Sequence, residues 1–284
     1  MIIFKKADEL SAYLNKKKKG GIKTGFVPTM GALHNGHLSL LRTAKNENDV
    51  CICSIFVNPT QFNNPEDFKH YPITIEQDIQ LLVLHGCDIL FLPPQSEIYP
   101  ADYKPHFYDL GNMEFILEGR YRPGHFQGVC QVVDRLLSIV KPDKLYMGQK
   151  DFQQCMVIRR LLHLVRKEND IELKIIPTER EKDGLALSSR NLRLDAEERK
   201  IAPAIYAELS NIKNLIQQHP IDTLEKNAKN SLEKKGFKVD YVEIANAEDL
   251  SPATAHSNEK VVLAAASLGP VRLIDNLLIN DHDH

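Results

Sequence analysis

Short apolar runs alternate with amphipathic segments over the first 176 residues, and this pattern predicts strands separated by helices. Residues 50–57 form a continuous apolar run, as expected for a strand covered on both faces. The segment 37–48 predicts a helix, because Leu38 and Leu41 recur at helical spacing. Further strands are predicted at 22–27, 89–92, 144–147 and 171–176, and further helices at 75–85, 127–140 and 152–167. Strands joined through helices predict crossover connections and a parallel sheet of the α/β class.

The pattern changes after Pro177. Two helices are predicted at 195–218 and 222–235, and three apolar runs follow at 237–244, 261–266 and 271–279. Helices followed by strands predict a smaller α+β unit. We place the boundary near Pro177, which gives predicted domains of residues 1–176 and 177–284. No long Pro/Gly/Ser linker separates them, so the two units are expected to touch.

Composition narrows the class of protein. With 43% apolar and 26% charged residues and a formal net charge of −2, the 284-residue chain is expected to fold and not to bind nucleic acid through a basic surface. No apolar run approaches the roughly 18 residues of a membrane span, and the N-terminus is apolar and then charged, the reverse of a signal peptide. The five cysteines lie in apolar surroundings, which favours buried thiols in a reducing compartment. We therefore expect a cytoplasmic protein.

The segment 26–38 carries the most chemical information. A predicted strand runs into a turn that contains Gly31 and Gly36, and a helix begins at about His37. Ligands of open α/β sheets sit beyond the carboxyl ends of the strands, and a helix N-terminus favours phosphate. His34 and His37 add donors where charge builds up on a transferring phosphoryl group. A surface turn and a metal site are alternative interpretations, although no third His or Cys stands at ligand spacing.

Two further segments agree with a phosphate site. Residues 148–151 (Gly-Gln-Lys-Asp) follow a predicted strand and open the next helix, so Lys150 can reach a phosphate as a point charge. Asp151 either caps that helix or binds a ribose hydroxyl. In 182–191, two serines and Arg190 predict a clamp for a polyphosphate.

Two glutamines suit a different ligand. Gln61 follows the strand predicted at 50–57, and Gln154 lies in the first turn of the helix after Gly148. An amide offers donors and an acceptor without charge, which suits a substrate that bears hydroxyls and a carbonyl. Ordinary loop or helix surface is the alternative for each glutamine taken singly.

Five motifs together identify a resemblance. The chain resembles the pantothenate synthetase family, also called pantoate–β-alanine ligase, along nearly its whole length. H-x-G-H alone would indicate only the wider group of nucleotidyl transferases and class I aminoacyl-tRNA synthetases. The motifs are PTMGALHNGH (28–37), FVNPTQF (56–62), LEGRYRPGHFQGV (117–129), GQKDFQQ (148–154) and KDGLALSSRN (182–191).

The resemblance implies a Rossmann-like domain that binds ATP and pantoate, a smaller C-terminal domain that closes as a lid, and a homodimer. It implies pantoate binding by Gln61 and Gln154, and β-alanine binding by Gln61. Glu179 stands where the family usually has a small aliphatic residue, so an adenine contact there has to come from the main chain. Ile73 stands where arginine is common, and we assign it no role. The ATP-binding positions implied by the motifs are Met30, Gly31, Ala32, Leu33, His34, Asn35, Gly36, His37, Gly148, Gln149, Lys150, Asp151, Glu179, Leu187, Ser188, Ser189 and Arg190.

The implied reaction has two steps. The pantoate carboxylate attacks the α-phosphorus of Mg²⁺-bound ATP to give pantoyl adenylate, and the amine of β-alanine then displaces AMP. The first step needs charge stabilisation more than a base, which suits His37, His34 and Lys150 as catalytic residues. No tightly bound prosthetic group is expected, and Mg²⁺ would sit mostly on phosphate oxygens and water. The alternatives are another nucleotidyl transferase, a tRNA-binding synthetase relative and a non-catalytic small-molecule sensor.

Overall fold

Six parallel strands form the sheet that positions the site, in the order β1-β4-β3-β2-β5-β6. The computed structural model describes residues 1–280 apart from 64, 255, 256 and 258. From the central strand β2, the chain reaches β3 on one side and β5 on the other. The carboxyl ends of β2 and β5 therefore flank a crevice, which is where ligands of open α/β sheets bind. The strands are β1 (Ile2–Phe4), β2 (Thr24–Thr29), β3 (Val50–Ile55), β4 (Ile89–Phe91), β5 (Lys144–Gly148) and β6 (Glu172–Ile176).

Helices cover both faces of this sheet. Successive residues of β2 point to opposite faces, so Phe26 packs in one apolar cluster and Val27 in the other. Burial of such a side chain contributes about 1.5–3 kcal/mol to the free energy of folding. The helices of this part are α1 (Ala7–Lys18), α2 (Asn35–Glu47), α3 (Pro65–Lys69), α4 (Ile75–Leu84), α5 (Gln95–Ile98), α6 (Leu117–Tyr121), α7 (His125–Val140) and α8 (Phe152–Leu164).

The C-terminal part has a core of its own. Strands β7 and β9 flank β8 in an antiparallel sheet, and helices pack on it through Leu209 and Leu232. Among the described residues, no helix of either part is long and apolar enough to cross a bilayer. The elements are α9 (Ala196–Ile201), α10 (Ala204–Leu215), α11 (Ile221–Lys234), β7 (Lys238–Asn246), β8 (Glu259–Leu268) and β9 (Val271–Asn280).

The predicted fold class is confirmed, and the differences are local. The single helix predicted over 195–218 is wrong, because it breaks between α9 and α10 at Ala202 and Pro203. Proline lacks the N–H that would continue the first helix, and its ring clashes with the carbonyl four residues earlier. Strand β1 was not predicted, since three residues carry too little pattern until they pair with β4. All five cysteines are buried free thiols, as the pattern predicted.

Candidate active site

A cavity of about 250 Å³ lies at the carboxyl ends of β2 and β5. The loop after β2 forms one wall, and the start of α8 forms another. The junction between α6 and α7 closes one side, and the C-terminal part contributes residues 187–190 together with Asp275 and Asn276. The cavity thus lies at the crevice that the strand order creates, and both parts of the chain contribute to it.

A buried carboxylate shapes the loop after β2. Asp78 of α4 is 1% exposed and accepts hydrogen bonds from the backbone N–H groups of Ala32 (3.0 Å) and Leu33 (2.8 Å). The Thr74 hydroxyl donates to the same carboxylate at 3.1 Å. Gly31 and Ala32 have φ values of +81° and +49°, a left-handed conformation that is costly for alanine. Asp78 therefore holds the turn in the conformation that places His34 at the start of α2.

Replacing Asp78 with alanine is expected to lower the free energy of unfolding by about 2–4 kcal/mol, because two buried backbone N–H groups lose their acceptor. Urea denaturation measures this loss. Asp78→Asn keeps one oxygen and should lose less. Glu76→Ala, at an exposed position of the same helix, is the control. A loss for Asp78→Ala no larger than for Glu76→Ala would show that the loop holds its shape without this carboxylate.

The two histidines of the motif form a stacked pair at the start of α2, with ring centroids 4.1 Å apart. The His34 N–H donates to Nδ1 of His37 at 3.3 Å, and the Gly36 N–H donates to Nδ1 of His34 at 3.2 Å. Each Nδ1 is therefore an acceptor, which leaves the ring proton of the neutral form on Nε2. Burial lowers the pKa of His34 to about 4 and that of His37 to about 3, with contributions from Lys150 and His34 respectively. The cavity thus contains two neutral imidazole N–H donors.

Stability should depend on pH through these histidines and His125, whose pKa burial lowers to about 3. Their unfolded pKa is about 6.5, so below it the unfolded chain binds more protons than the folded chain. Their contribution is complete above pH 6.5 and is lost as the pH falls towards 4. We expect a loss of about 1–2 kcal/mol per histidine between pH 7 and pH 5 in urea denaturation. His37→Asn should remove the share of this pH dependence that His37 contributes.

Lys150 and Asp151 lie opposite the histidine pair, after β5. Lys150 Nζ is 3.1 Å from Oδ1 of Asp151, and the lysine side chain is 18% exposed. Burial raises the pKa of Asp151, but Lys150, Arg190 and Arg122 together lower it below its usual value. The side chain of Asn276 in β9 donates to the carbonyl groups of Gln149 and Lys150, both at 2.9 Å. The C-terminal sheet therefore fixes the turn that carries the lysine.

The predicted serine and arginine clamp lies along the same cavity. The Ser188 hydroxyl accepts from the N–H of Arg190 at 3.3 Å and so starts a short helical turn, Ser189–Arg193. The chain before it is tied to Glu179, whose carbonyl accepts from the N–H of Leu187 at 3.0 Å. The Glu179 carboxylate is paired with Arg42 at 3.8 Å, so the expected adenine contact at this position would have to use the main chain.

The two glutamines meet in the same cavity. The Gln61 amide accepts from Asn58 at 3.2 Å and donates to the Met30 sulfur at 3.1 Å. The Gln154 amide makes no hydrogen bond to any part of the chain that the structure describes, so it is available to a ligand. Its neighbour Gln153, by contrast, is bonded to the backbone of Glu118, Met113 and Ile116.

Several predicted residues lie behind the cavity wall. Ala32 and Leu33 direct their N–H groups to Asp78, and Gln149 bonds to Asn276 at 3.2 Å. Ile73 is 73% exposed and contributes nothing to the cavity. The ATP-binding positions that are absent from its described lining are Gly31, Ala32, Leu33, Asn35 and Gln149.

Two buried carboxylate–arginine pairs that the sequence did not indicate lie beside the cavity, and the first connects the two parts of the chain. Glu118 of α6 is bound by both terminal nitrogens of Arg272, at 2.7 and 2.8 Å, and by the Tyr241 hydroxyl at 2.9 Å. Asp275 is bound in the same way by Arg180, at 2.6 and 2.9 Å. Both carboxylates line the cavity. No local pattern could reveal these pairs, because their partners are far apart in sequence.

The parallel sheet with a donor-rich cavity at its carboxyl edge defines the class of α/β proteins that bind their ligands beyond the strand ends. The chain belongs to the pantoate–β-alanine ligase family, whose family model matches residues 2–278. A pantothenate synthetase from Cytophaga hutchinsonii is 46% identical over 285 residues, which cover 98% of this chain and 99% of the relative. One from Thermosipho melanesiensis is 43% identical over 282 residues, covering 98% and 99%.

Solved structures agree with this assignment. The crystal structure of pantothenate synthetase from Thermus thermophilus matches with a TM-score of 0.92 and 38% identity, over 99% of this chain and all of the other. The pantoate–β-alanine ligase from Francisella tularensis, solved in complex with β,γ-ATP and β-alanine, matches with a TM-score of 0.80 and 40% identity. That match covers 98% of this chain and 97% of the other.

Proposed function

We propose that the chain condenses pantoate with β-alanine at the expense of ATP, through a pantoyl-adenylate intermediate. The observation that carries this proposal is the convergence of two ligand-binding chemistries in one cavity. Neutral imidazole donors and Lys150 suit phosphate, whereas the uncharged amides of Gln61 and Gln154 suit a hydroxy acid.

In the first step, a pantoate carboxylate oxygen forms a bond to the α-phosphorus, and pyrophosphate leaves. The Nε2–H groups of His34 and His37 and the ammonium of Lys150 would stabilise the charge on the phosphate oxygens. Ser188, Ser189 and Arg190 would hold the departing phosphates. In the second step, the amine of β-alanine forms a C–N bond to the acyl carbon, the C–O bond to AMP breaks, and one proton leaves the nitrogen.

Mg²⁺ would arrive on ATP and neutralise phosphate charge. Four carboxylates line the cavity. Glu118 and Asp275 are each bound by arginine and Glu179 is paired with Arg42, which leaves Asp151 as the carboxylate placed to touch the ion. This donor set fits an ion held mainly by phosphate oxygens and water.

We also propose how the chain is divided into domains, how it assembles and where it is located. We place the boundary between residues 1–176 and 177–284, and the smaller unit would close over the cavity and exclude water from the adenylate. We expect a homodimer, since Phe107 and Phe115 are 70% and 69% exposed and a twofold contact would remove such apolar surface from water. We also propose a cytoplasmic location, in keeping with the five free thiols.

ATP–pyrophosphate exchange with and without pantoate tests the function. Pantoate-dependent exchange, followed by release of AMP and an amide when β-alanine is added, is the expected result. A nucleotide product would favour another nucleotidyl transferase. Binding of tRNA at physiological salt would favour a synthetase relative, and absence of ATP turnover would favour a sensor.

Replacing Gln61 or Gln154 with alanine should raise the pantoate requirement and leave ATP binding nearly intact. The expected loss is about 1–3 kcal/mol per site, the cost of a buried polar substrate group without a partner. Gln61→Ala should also impair the β-alanine step, whereas Gln154→Ala should act mainly on pantoate. Exchange and product formation as functions of each substrate concentration measure this, with the exposed Gln80→Ala as control. Loss of ATP affinity with normal pantoate dependence would move both glutamines to the nucleotide site.

A further inference from the structure

The junction between α6 and α7 has no role in the two proposed steps, although it lies within the motif at residues 117–129. Arg122 ends α6, and His125 is the first residue of α7. Gly124 between them has φ +78°, a left-handed conformation that glycine adopts without strain. Arg122 and His125 both line the central cavity, as does Gln61.

Arg122 is a largely buried cation whose hydrogen-bonding groups are unused. Its side chain is 20% exposed, and its nearest carboxylate oxygen, Oε2 of Glu118, is 3.7 Å from Nη1, which is too long for a hydrogen bond. Glu118 is already engaged by Arg272 and Tyr241. Within the part of the chain that the structure describes, no group accepts a hydrogen bond from the Arg122 guanidinium. A buried guanidinium with free donors at a cavity wall is suited to an anionic ligand.

His125 has the complementary property, an unused acceptor. Its Nδ1 lies 2.7 Å from the carbonyl oxygen of Gln61. Because a carbonyl can only accept, Nδ1 carries the ring proton, and Nε2 has a free lone pair. Burial lowers the pKa of His125 to about 3, so the ring is neutral at neutral pH. Among the described residues, none donates to Nε2.

We propose that Arg122 and His125 form the binding site for β-alanine in the second half-reaction, with the guanidinium on its carboxylate and Nε2 accepting from its amine. The two residues are three positions apart, and the site adjoins Gln61. A hydrogen bond from one amine N–H to Nε2 would direct the nitrogen lone pair away from the ring and towards the acyl carbon. This inference rests on the proposed function. A phosphate group of ATP or pyrophosphate is the other anion that Arg122 could take.

The two half-reactions separate these ligands. Enzyme-bound pantoyl adenylate is prepared from ATP and pantoate with pyrophosphatase, and its consumption is followed with β-alanine and with hydroxylamine, which has no carboxylate. For Arg122→Gln, we expect the second-order rate constant with β-alanine to fall roughly 10- to 100-fold, the effect of losing a charge-assisted hydrogen bond. Consumption by hydroxylamine and pantoate-dependent exchange should stay within about 3-fold of the parent protein.

His125 needs two substitutions. His125→Asn keeps an amide that can bond to the Gln61 carbonyl but has no acceptor in the place of Nε2. His125→Gln can put an acceptor there. We expect about 10-fold slower consumption by β-alanine for the asparagine variant and recovery to within about 3-fold for the glutamine variant. If the two variants are equally impaired, His125 does not supply an acceptor, and this half of the proposal is wrong.

Controls keep the other outcomes distinct. Arg120→Gln lies on the same helix in an exposed ion pair with Glu243 and should leave every rate unchanged. Arg122→Lys, which keeps the charge, covers the case in which Arg122→Gln does not fold. It should retain more β-alanine reactivity than the glutamine variant, and any loss should be confined to this reactivity. Equal losses with β-alanine and hydroxylamine, or a raised pyrophosphate requirement with normal β-alanine reactivity, would overturn the assignment. A parent protein without pantoate-dependent exchange would instead contradict the proposed function.

Discussion

Replacing His37 with alanine is expected to slow pantoyl-adenylate formation by about 10²-fold or more, the effect of losing one preorganised donor to a transition-state charge. The structure supplies the reason. Nδ1 of His37 accepts from the His34 N–H, so the proton of the neutral ring is on Nε2. With the pKa lowered to about 3, this donor is present across the neutral pH range. The rate of pantoate-dependent ATP–pyrophosphate exchange measures the loss.

The same histidine also caps α2, so the catalytic effect needs a variant that preserves the cap. His37→Asn retains an oxygen near the position of Nδ1 and lacks the group at Nε2. We expect exchange as slow as in the alanine variant, with a smaller loss of stability in urea. An exchange rate for His37→Asn close to that of the parent would remove His37 from the catalytic residues.

Replacing Lys150 with methionine is expected to reduce exchange by about 10²- to 10³-fold, because a largely buried ammonium beside the proposed phosphate site is lost. The substitution also affects Asp151, the ion-pair partner of Lys150. Asp151 would lose the cation that contributes most to lowering its pKa, so the pKa of this carboxyl should rise in the variant. Steady-state kinetics measure the rate of exchange, and calorimetric titration measures the affinity for ATP.

Lys174→Met is the matched control for this substitution. Lys174 lies on β6, the strand next to β5, and pairs at the surface with Glu172 at 2.7 Å. Its loss should leave exchange unchanged. If Lys150→Met binds ATP and exchanges pyrophosphate like the parent protein, the role assigned to Lys150 is wrong.

Periodicity predicted most of the sheet and its helices, and it failed where a neighbour decides the structure. The apolar run at 50–57 is a central strand, since a strand buried on both faces needs no alternation. The ending of β3 at Ile55 shifts only a boundary, whereas the break at Pro203 divides one predicted helix into two. Strand β1 depends on its pairing with β4, which lies 87 residues further along the chain, in the register Ile2 to Ile89.

The sequence by itself predicted the residues that we propose to bind phosphate, because the His34–His37 motif and Lys150 each follow a strand at the same edge of a parallel sheet. It could not determine what holds them. Asp78, 45 residues from Leu33, shapes the histidine turn, and Asn276 in the C-terminal sheet fixes the turn of Lys150. The unused donors of Arg122 also appear only in the fold, where Arg272 binds Glu118, the carboxylate four positions before Arg122. Spacing along the chain predicts groups that lie within one turn or at one strand end. The pairing of buried charges cannot be predicted in this way, because it depends on which distant segments pack together.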